Sequence, residues 1–317
     1  MEKWKSKLKA TSSTSSTLNV GVIGLGIMGS AIAANLVRSG HSVVGYDVAA
    51  SRRRIARAAG ALAVGSVSAL AERTDIIICS LPSTDALANV SDRIARAHPR
   101  NALVVETSTL PLEAKEAARR VLRARRIEML DCPISGTGAQ ARTADLVLYA
   151  SGDRAAFDRA APVLQGFSRA QYFLGAFGNG SKMKFVANLL VAVHNVAAAE
   201  ALVLAMKAGL DPETVVKVVG EGAGGSRVLQ LRGPMMARGE YADATMKMSV
   251  FQKDVAIIAS FARELGCPTP LFSASQPIYT AALAAGHDAD DTAAVCTILE
   301  RLANVTRSNR SNRSNRS

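Results

Sequence analysis

Between residues 18 and 150, short apolar runs alternate with stretches whose apolar positions recur every three or four residues. The short runs at 19–23, 42–46, 75–80, 102–106 and 127–130 predict strands. The periodic stretches at 28–39, 51–58, 85–97 and 112–123 predict the helices between them. Strands separated in this way imply βαβ units and a mainly parallel sheet. Two further strands are expected at 146–150 and 172–174.

The pattern changes after Gly180. Residues 182–208 are almost all good helix formers without proline or glycine, which predicts a helix of about 40 Å at 1.5 Å per residue. Asp211 as N-cap and Pro212 at the first helical position open another helix. Helical stretches continue near 226–237, 248–265, 273–285 and 291–302, with no strand signal of comparable strength. The expected architecture is α/β: an N-terminal domain of the doubly wound Rossmann type over 18–180, then an all-α domain over 181–304 built on the long interdomain helix.

Composition changes this picture mainly at the ends. A chain of 317 residues, 49% of them hydrophobic, can bury two cores. Residues 1–17 hold four lysines and a Ser/Thr run but no apolar core of a secretory signal, and read as a flexible leader. Residues 305–317 are dominated by a Ser-Asn-Arg repeat and read as a disordered basic tail. No run of eighteen apolar residues lacks charge or strong polarity, so no membrane partner is expected. The tail's four arginines and the leader's four lysines, less Glu2, supply +7 of the net charge of +12. The remaining +5 or so gives no reason to expect a specific nucleic-acid partner. The cysteines (79, 132, 267, 296) and the histidines (41, 98, 194, 287) form no metal-ligand spacing and no triad pattern. Buried free thiols in a cytoplasmic protein, with no metal, are the expectation.

Two constellations carry chemistry. The first is Gly24-Leu25-Gly26-Ile27-Met28-Gly29 between a predicted strand and helix. Glycines there permit a tight turn and close approach of a pyrophosphate, and the helix N-terminus offers free N–H groups. Asp47 ends the second strand, twenty-three residues after Gly24, where a carboxylate can hydrogen-bond both ribose hydroxyls. Its charge favours NAD over NADP. Arg52, Arg53 and Arg54 follow closely, so NADP stays open, although a solvated helix start is the simpler reading of these arginines.

The second constellation places Lys184 and Asn188 one helical turn apart, just after glycines at 175, 178 and 180. An ammonium and an amide converging on one point suit a substrate hydroxyl that must lose a proton. Burial and a neighbouring cofactor cation would lower the lysine pKa toward the working pH. Lys182 falls on another face and reads as solvated. Asn195 shares the face of Asn188 and serves either the substrate or a helix–helix hydrogen bond.

Taken together, residues 18–303 resemble the β-hydroxyacid dehydrogenase family, the group of 3-hydroxyisobutyrate dehydrogenase and 2-hydroxy-3-oxopropionate reductase. The resemblance rests on the segment from Ile23 to Ala31, on Asp131-Cys-Pro-Ile-Ser-Gly-Thr-Gly, on Gly178 through Asn188, and on Lys253-Asp254. Cys132 and Thr137 depart from the family's usual substrate loop. The resemblance implies hydride transfer between a nicotinamide cofactor and a small 3-hydroxy acid or its semialdehyde, with Lys184 as general acid/base and Asn188 beside it. It implies that Ser135, Gly136 and Thr137 bind substrate, and that Leu81, Pro82, Ser108, Thr109 and Lys253 join the cofactor contacts. It also implies a homodimer or homotetramer, built through the helical domain. Arg227 is a further candidate for binding an anionic group. A non-catalytic dinucleotide-binding module, or a reductase of another substrate class such as imines, remains the alternative.

Overall fold

The computed structural model describes residues 18–99, 101–305 and 307. Six strands form one parallel sheet: β1 (Asn19–Ile23), β2 (Ser42–Tyr46), β3 (Leu62–Ala63), β4 (Ile76–Cys79), β5 (Leu103–Glu106) and β6 (Glu128–Asp131). Their order is β3-β2-β1-β4-β5-β6, so the chain reverses direction across the sheet between β1 and β4. That order belongs to the doubly wound dinucleotide-binding fold, which opens a crevice at the strands' carboxyl ends beside the reversal.

The alternation of side chains along each strand builds two cores. Val20, Val22, Ile76, Ile78, Leu103 and Val105 face α1 (Ile27–Arg38) and α7 (Arg154–Gln165), meeting Ile32, Leu36, Phe157 and Leu164. Ile23, Ile77, Cys79, Val104 and Met129 point the other way, onto Leu87, Ile94 and Leu122 of α4 (Thr84–Ala97) and α5 (Leu112–Arg123). Strands β4 and β5 are buried throughout, as a parallel sheet covered on both faces requires. The short helices α2 (Ala50–Ala58) and α3 (Val67–Ala71) flank β3.

Five elements lie outside the sequence pattern: β3, α3, β7 (Ile134–Ser135), α6 (Gly138–Arg142) and α7. Strand β3 is two residues long, too short to show a period. Strand β7 pairs antiparallel with β8 (Val147–Ala150), which pairs parallel with β9 (Ala170–Phe173). Between β7 and β8 sits the single turn α6. Helix α7 falls where the periodicity assigns nothing. Asp153 caps it through Ala156 N–H, and Pro162 inside it obscures the helical signal.

The second half contains helices α8 (Asn179–Lys207), α9 (Pro212–Glu221), α10 (Arg227–Arg238), α11 (Met248–Glu264), α12 (Pro270–Ala284) and α13 (Val295–Leu302). Asp211 caps α9 through Thr214 N–H. The stretch expected to be helical from 291 begins as a 3₁₀ turn, Thr292–Ala294. Helix α8, with an 18-residue window of mean hydropathy 1.9, is long and apolar enough to cross a membrane by length and composition. In this fold it is a spine: Phe185, Ala192, Val196, Ala199 and Leu202 pack into a core with residues of α10 to α13. Asn195 belongs to that packing. Its Nδ2 donates to Tyr279 Oη at 3.1 Å and to the Thr292 carbonyl at 2.9 Å, which settles it as a helix–helix bond.

The expected leader, 1–17, lies outside the described residues, as does the expected tail apart from Val305 and Arg307. Arg307 donates to the carbonyl of Ala237 at 2.9 Å and to Tyr241 Oη at 3.0 Å, and pairs with Glu300 at 2.5 Å. Of the four thiols expected to be buried, Cys267 is exposed, because it lies in the turn between α11 and α12.

Candidate functional site

The turn after β1 is shaped by close backbone approach. Gly24 has φ +88°, and a Cβ there would lie 2.1 Å from the Ser80 carbonyl oxygen. A Cβ on Gly29 would lie 1.8 Å from the carbonyl oxygen of Gly24. Both positions therefore demand hydrogen. Gly26 is different: a Cβ would meet only Arg52 Nη1, at 3.9 Å, so its face is open to the cleft. Gly26 is also the N-cap of α1 and supplies no side-chain cap, which leaves the helix N-terminus to attract an anion.

Asp47, 4% exposed, holds this turn in place. Its Oδ2 accepts from Leu25 N–H at 2.8 Å, and its Oδ1 from Ala49 N–H at 2.8 Å. Arg52 Nη1 lies 3.4 Å from Oδ2, while Arg53 donates to the Asp47 carbonyl oxygen. Arg52 is thus directed at the carboxylate and is not simply a solvated residue.

Above the turn lies a cavity of about 750 Å³. Of the residues singled out by sequence, Gly24, Gly26, Ile27, Met28, Asp47, Leu81, Pro82, Gly136 and Thr137 line it. Leu25 and Gly29 shape the floor from beneath: Leu25 is buried in the sheet core, and Gly29 is pressed against Gly24. Ser108 Oγ, expected to face the cofactor, accepts from Leu81 N–H at 2.7 Å and orients that loop. The opposite wall contains Thr245, Met246, Lys247 and Val250 from the helical half, which sequence reasoning missed. Their loop has no motif. It is held by Asp291, whose Oδ2 accepts from Thr245 N–H at 2.7 Å and Met246 N–H at 3.0 Å. The cavity's size, its open glycine face and a carboxylate at the end of β2 fit a nicotinamide dinucleotide.

Lys184 and Asn188 of α8 do not line this cavity; they reach it through α11, where Asp254 follows the cavity-lining Val250 by one turn. Lys184 is 6% exposed, and among the described residues no hydrogen bond or ion pair engages its Nζ. Burial, aided by the charge of Lys253, lowers its pKa to about 8 against the opposing pull of Asp254. Asn188, 4% exposed, donates from Nδ2 to Asp254 Oδ2 at 2.9 Å. Lys253 lies 3.1 Å from Asp254 Oδ1 and also donates to the carbonyl of Thr109, reaching from α11 to the loop after β5. Neither Lys253 nor Thr109 lines the dinucleotide cavity; they join its two walls. Asp254 is the residue around which Lys184, Asn188 and Lys253 gather. Its only sequence signal was its place next to Lys253.

The loop 134–138 brings the remaining candidates near. Gly136, at φ +144°, lines the cavity with Thr137. The hydroxyl of Thr137, expected to be free for substrate, is engaged in a capping box with Gln140 at the start of α6. Ser135 belongs to β7, paired with Val147, outside the dinucleotide cavity. Arg227 is exposed and bonds Gln230 at 3.3 Å, within its own helix. Lys182 is exposed, as expected.

Comparison with known proteins agrees with the fold and with a nicotinamide dinucleotide as cofactor. Residues 19–175 match the family model described as the NAD binding domain of 6-phosphogluconate dehydrogenase. Residues 178–299 match that described as NAD-binding of NADP-dependent 3-hydroxyisobutyrate dehydrogenase. The chain is 33% identical to an L-threonate dehydrogenase of Cupriavidus necator, over 88% of this chain and 95% of that one. A solved structure titled 3-hydroxyisobutyrate dehydrogenase from Salmonella typhimurium superposes with a TM-score of 0.81 at 31% identity, covering 89% of this chain and 99% of that one. An imine reductase of Streptomyces aurantiacus, at 22% identity and a TM-score of 0.62 over 89% of this chain and 99% of that one, shares the fold.

Proposed function

The chain belongs to the β-hydroxyacid dehydrogenase family, an NAD(P)-dependent oxidoreductase acting on the CH–OH group of a hydroxy acid, and from this we propose that Lys184 is its general acid/base. The observation that carries the reading is the state of Lys184 itself: a buried amine with a pKa of about 8 and no hydrogen bond or ion pair among the described residues, on the helix whose Asn188 meets α11 one turn past the cavity-lining Val250. An amine in that condition changes protonation near neutral pH at little cost. Burial of an amine with no chemical task is hard to reconcile with a passive binding module.

NAD(P), when bound, accepts or supplies the hydride. In oxidation, neutral Lys184 Nζ takes the substrate hydroxyl proton; in reduction, its ammonium returns it. Asn188, with one amide hydrogen held by Asp254, directs its remaining amide atoms at the same oxygen. Ser135, Gly136 and Thr137 form the loop that receives the carboxylate, Gly136 through its backbone N–H, while the N–H and hydroxyl of Thr137 are engaged with Gln140 and hold the loop in shape. Asp47 selects NAD, and Lys253 ties the cofactor loop at Thr109 to the helical half.

A small hydroxy acid of the threonate, 3-hydroxyisobutyrate or tartronate semialdehyde type is the substrate class this reading supports. The domain boundary falls at Gly180. A homodimer or homotetramer forms through the helical half, where Met183, Val186 and Leu190 make an exposed apolar stripe along α8 at 42%, 57% and 48% exposure. Three buried, unpaired cysteines support a reducing, cytoplasmic setting.

The test is a screen of these acids with both cofactors, followed at the NADH absorbance band. Lys184→Ala is expected to lose at least about a hundred-fold in kcat. Full turnover in that variant would refute the assignment.

A further inference from the structure

Helix α8 begins without a cap of its own. Its N-cap, Gly178 at φ +92°, has no side chain to accept from the first-turn N–H groups. Those groups are satisfied from elsewhere in the fold. Gly180 N–H donates to Ser151 Oγ at 2.9 Å, and Ser181 N–H to Asp131 Oδ2 at 2.7 Å. Ser181 Oγ adds a bond to Asp131 Oδ1 at 2.8 Å. A carboxylate at a helix N-terminus also meets the positive end of the helix dipole.

Asp131 is itself held. Lys115 Nζ lies 2.8 Å from Asp131 Oδ1 and 2.7 Å from Glu106 Oε2, and all three residues have no exposed surface. Burial opposes the charge on Lys115, but Asp131 and Glu106 outweigh it and raise its pKa above the ordinary lysine value. Lys115 compensates one carboxylate, and the start of α8 the other. Such a cluster tolerates little displacement, because any member that moves leaves a buried charge unpaired.

The position of Asp131 in the chain gives this cluster its meaning. It is the last residue of β6, and the loop carrying Ser135, Gly136 and Thr137 follows at once. Ser181, its partner, precedes Lys184 by three residues on the first turns of α8. One side chain thus joins the strand that leads into the substrate loop to the helix that carries the amine.

We propose that Asp131 is a positioning residue for the reaction, fixing the register of Lys184 against the 135–137 loop, with Lys115 and Glu106 holding its carboxylate. The inference rests on Lys184 being the acid/base. A misplacement of about 1 Å in such a pair is enough to cost on the order of a hundred-fold in rate.

The test uses Asp131→Asn, Asp131→Glu and Ser181→Ala in the full chain. Asp131→Asn is expected to lower kcat about ten- to a hundred-fold, leaving the cofactor dissociation constant unchanged. The deuterium isotope effect with cofactor labelled at the transferred position should rise, and amide exchange protection over residues 178–184 should fall. Asp131→Glu keeps the charge but displaces it by one methylene, and is expected to behave like Asn; recovery of activity by Glu would show a charge effect and overturn the register. Should the Asp131 variants not fold, Ser181→Ala decides: a several-fold loss in kcat at constant cofactor affinity supports the proposal. Wild-type kcat in a folded variant, or a matching loss of cofactor affinity, overturns it. Wild-type turnover in Lys184→Ala would instead remove the acid/base assignment. An inactive Lys184→Ala beside fully active Asp131→Asn would remove only this inference.

Discussion

Asn188 and Asp254 meet between α8 and α11, the amide Nδ2 donating to the carboxylate Oδ2 at 2.9 Å with both residues buried. The bond orients the amide, and the charge it brings close favours the protonated form of Lys184. Asp254→Asn keeps the size and a possible hydrogen bond but removes that charge. The lysine pKa should then move further below about 8. In the oxidation direction, the acidic limb of the kcat profile should shift to lower pH; an unmoved limb would show that Asp254 does not influence the titrating group.

Lys184→Met should stabilise the protein while abolishing turnover. The folded-state pKa, about 8, stands below the ordinary 10.5, so the folded protein binds fewer protons than the unfolded chain between those values. Stability from this group therefore rises with pH across that window, and the cost of burying the charge is fully present below pH 8. At neutral pH the cost is roughly 3 kcal/mol. The melting temperature of the methionine variant at pH 7 should rise by a few degrees, with less gain at pH 10.

Gly29→Ala tests the glycine turn by packing alone. The added methyl would fall 1.8 Å from a backbone oxygen that cannot withdraw without moving Gly24. Cofactor affinity is expected to fall at least about ten-fold, with a loss of stability of about 1–3 kcal/mol typical of overpacking. Gly26→Ala, whose methyl would enter open cleft, should leave stability intact and weaken only cofactor binding, as titration of NADH fluorescence would reveal.

Asp47→Asn should narrow the preference for NAD over NADP by about ten-fold or more in kcat/KM, since the carboxylate charge opposes a 2′-phosphate. Arg52→Ala should act in the opposite direction, because its guanidinium lies 3.4 Å from that carboxylate and partly offsets it. Equal ratios in both variants would remove Asp47 from cofactor choice.

The sheet was legible because the central strands are apolar without interruption, and the long helix because neither proline nor glycine interrupts its body. The glycine turn and Asp47 could be placed because their spacing follows from the geometry of a βαβ unit. What escaped was tertiary in origin. Asp254 acquires its importance only where α8 and α11 cross, and the 244–247 wall only because Asp291 pins it, so neither carries a local pattern. The capping role of Thr137 also went unread, although a hydroxyl followed three residues later by glutamine can cap a helix, and here it does.

Gly180 has no room for a side chain: a Cβ there would sit 2.2 Å from the Tyr149 carbonyl oxygen. The spine is therefore wedged against the sheet at one end, close to the amine proposed as acid/base. Lys184 stands about 6 Å from that point along the axis and Lys207 about 40 Å, at 1.5 Å per residue. A swing of the helical half that carries its far end through several ångströms would displace the amine by only about a seventh as much. Rotation of the helical half about this end would therefore leave the Lys184 amine nearly fixed relative to the sheet.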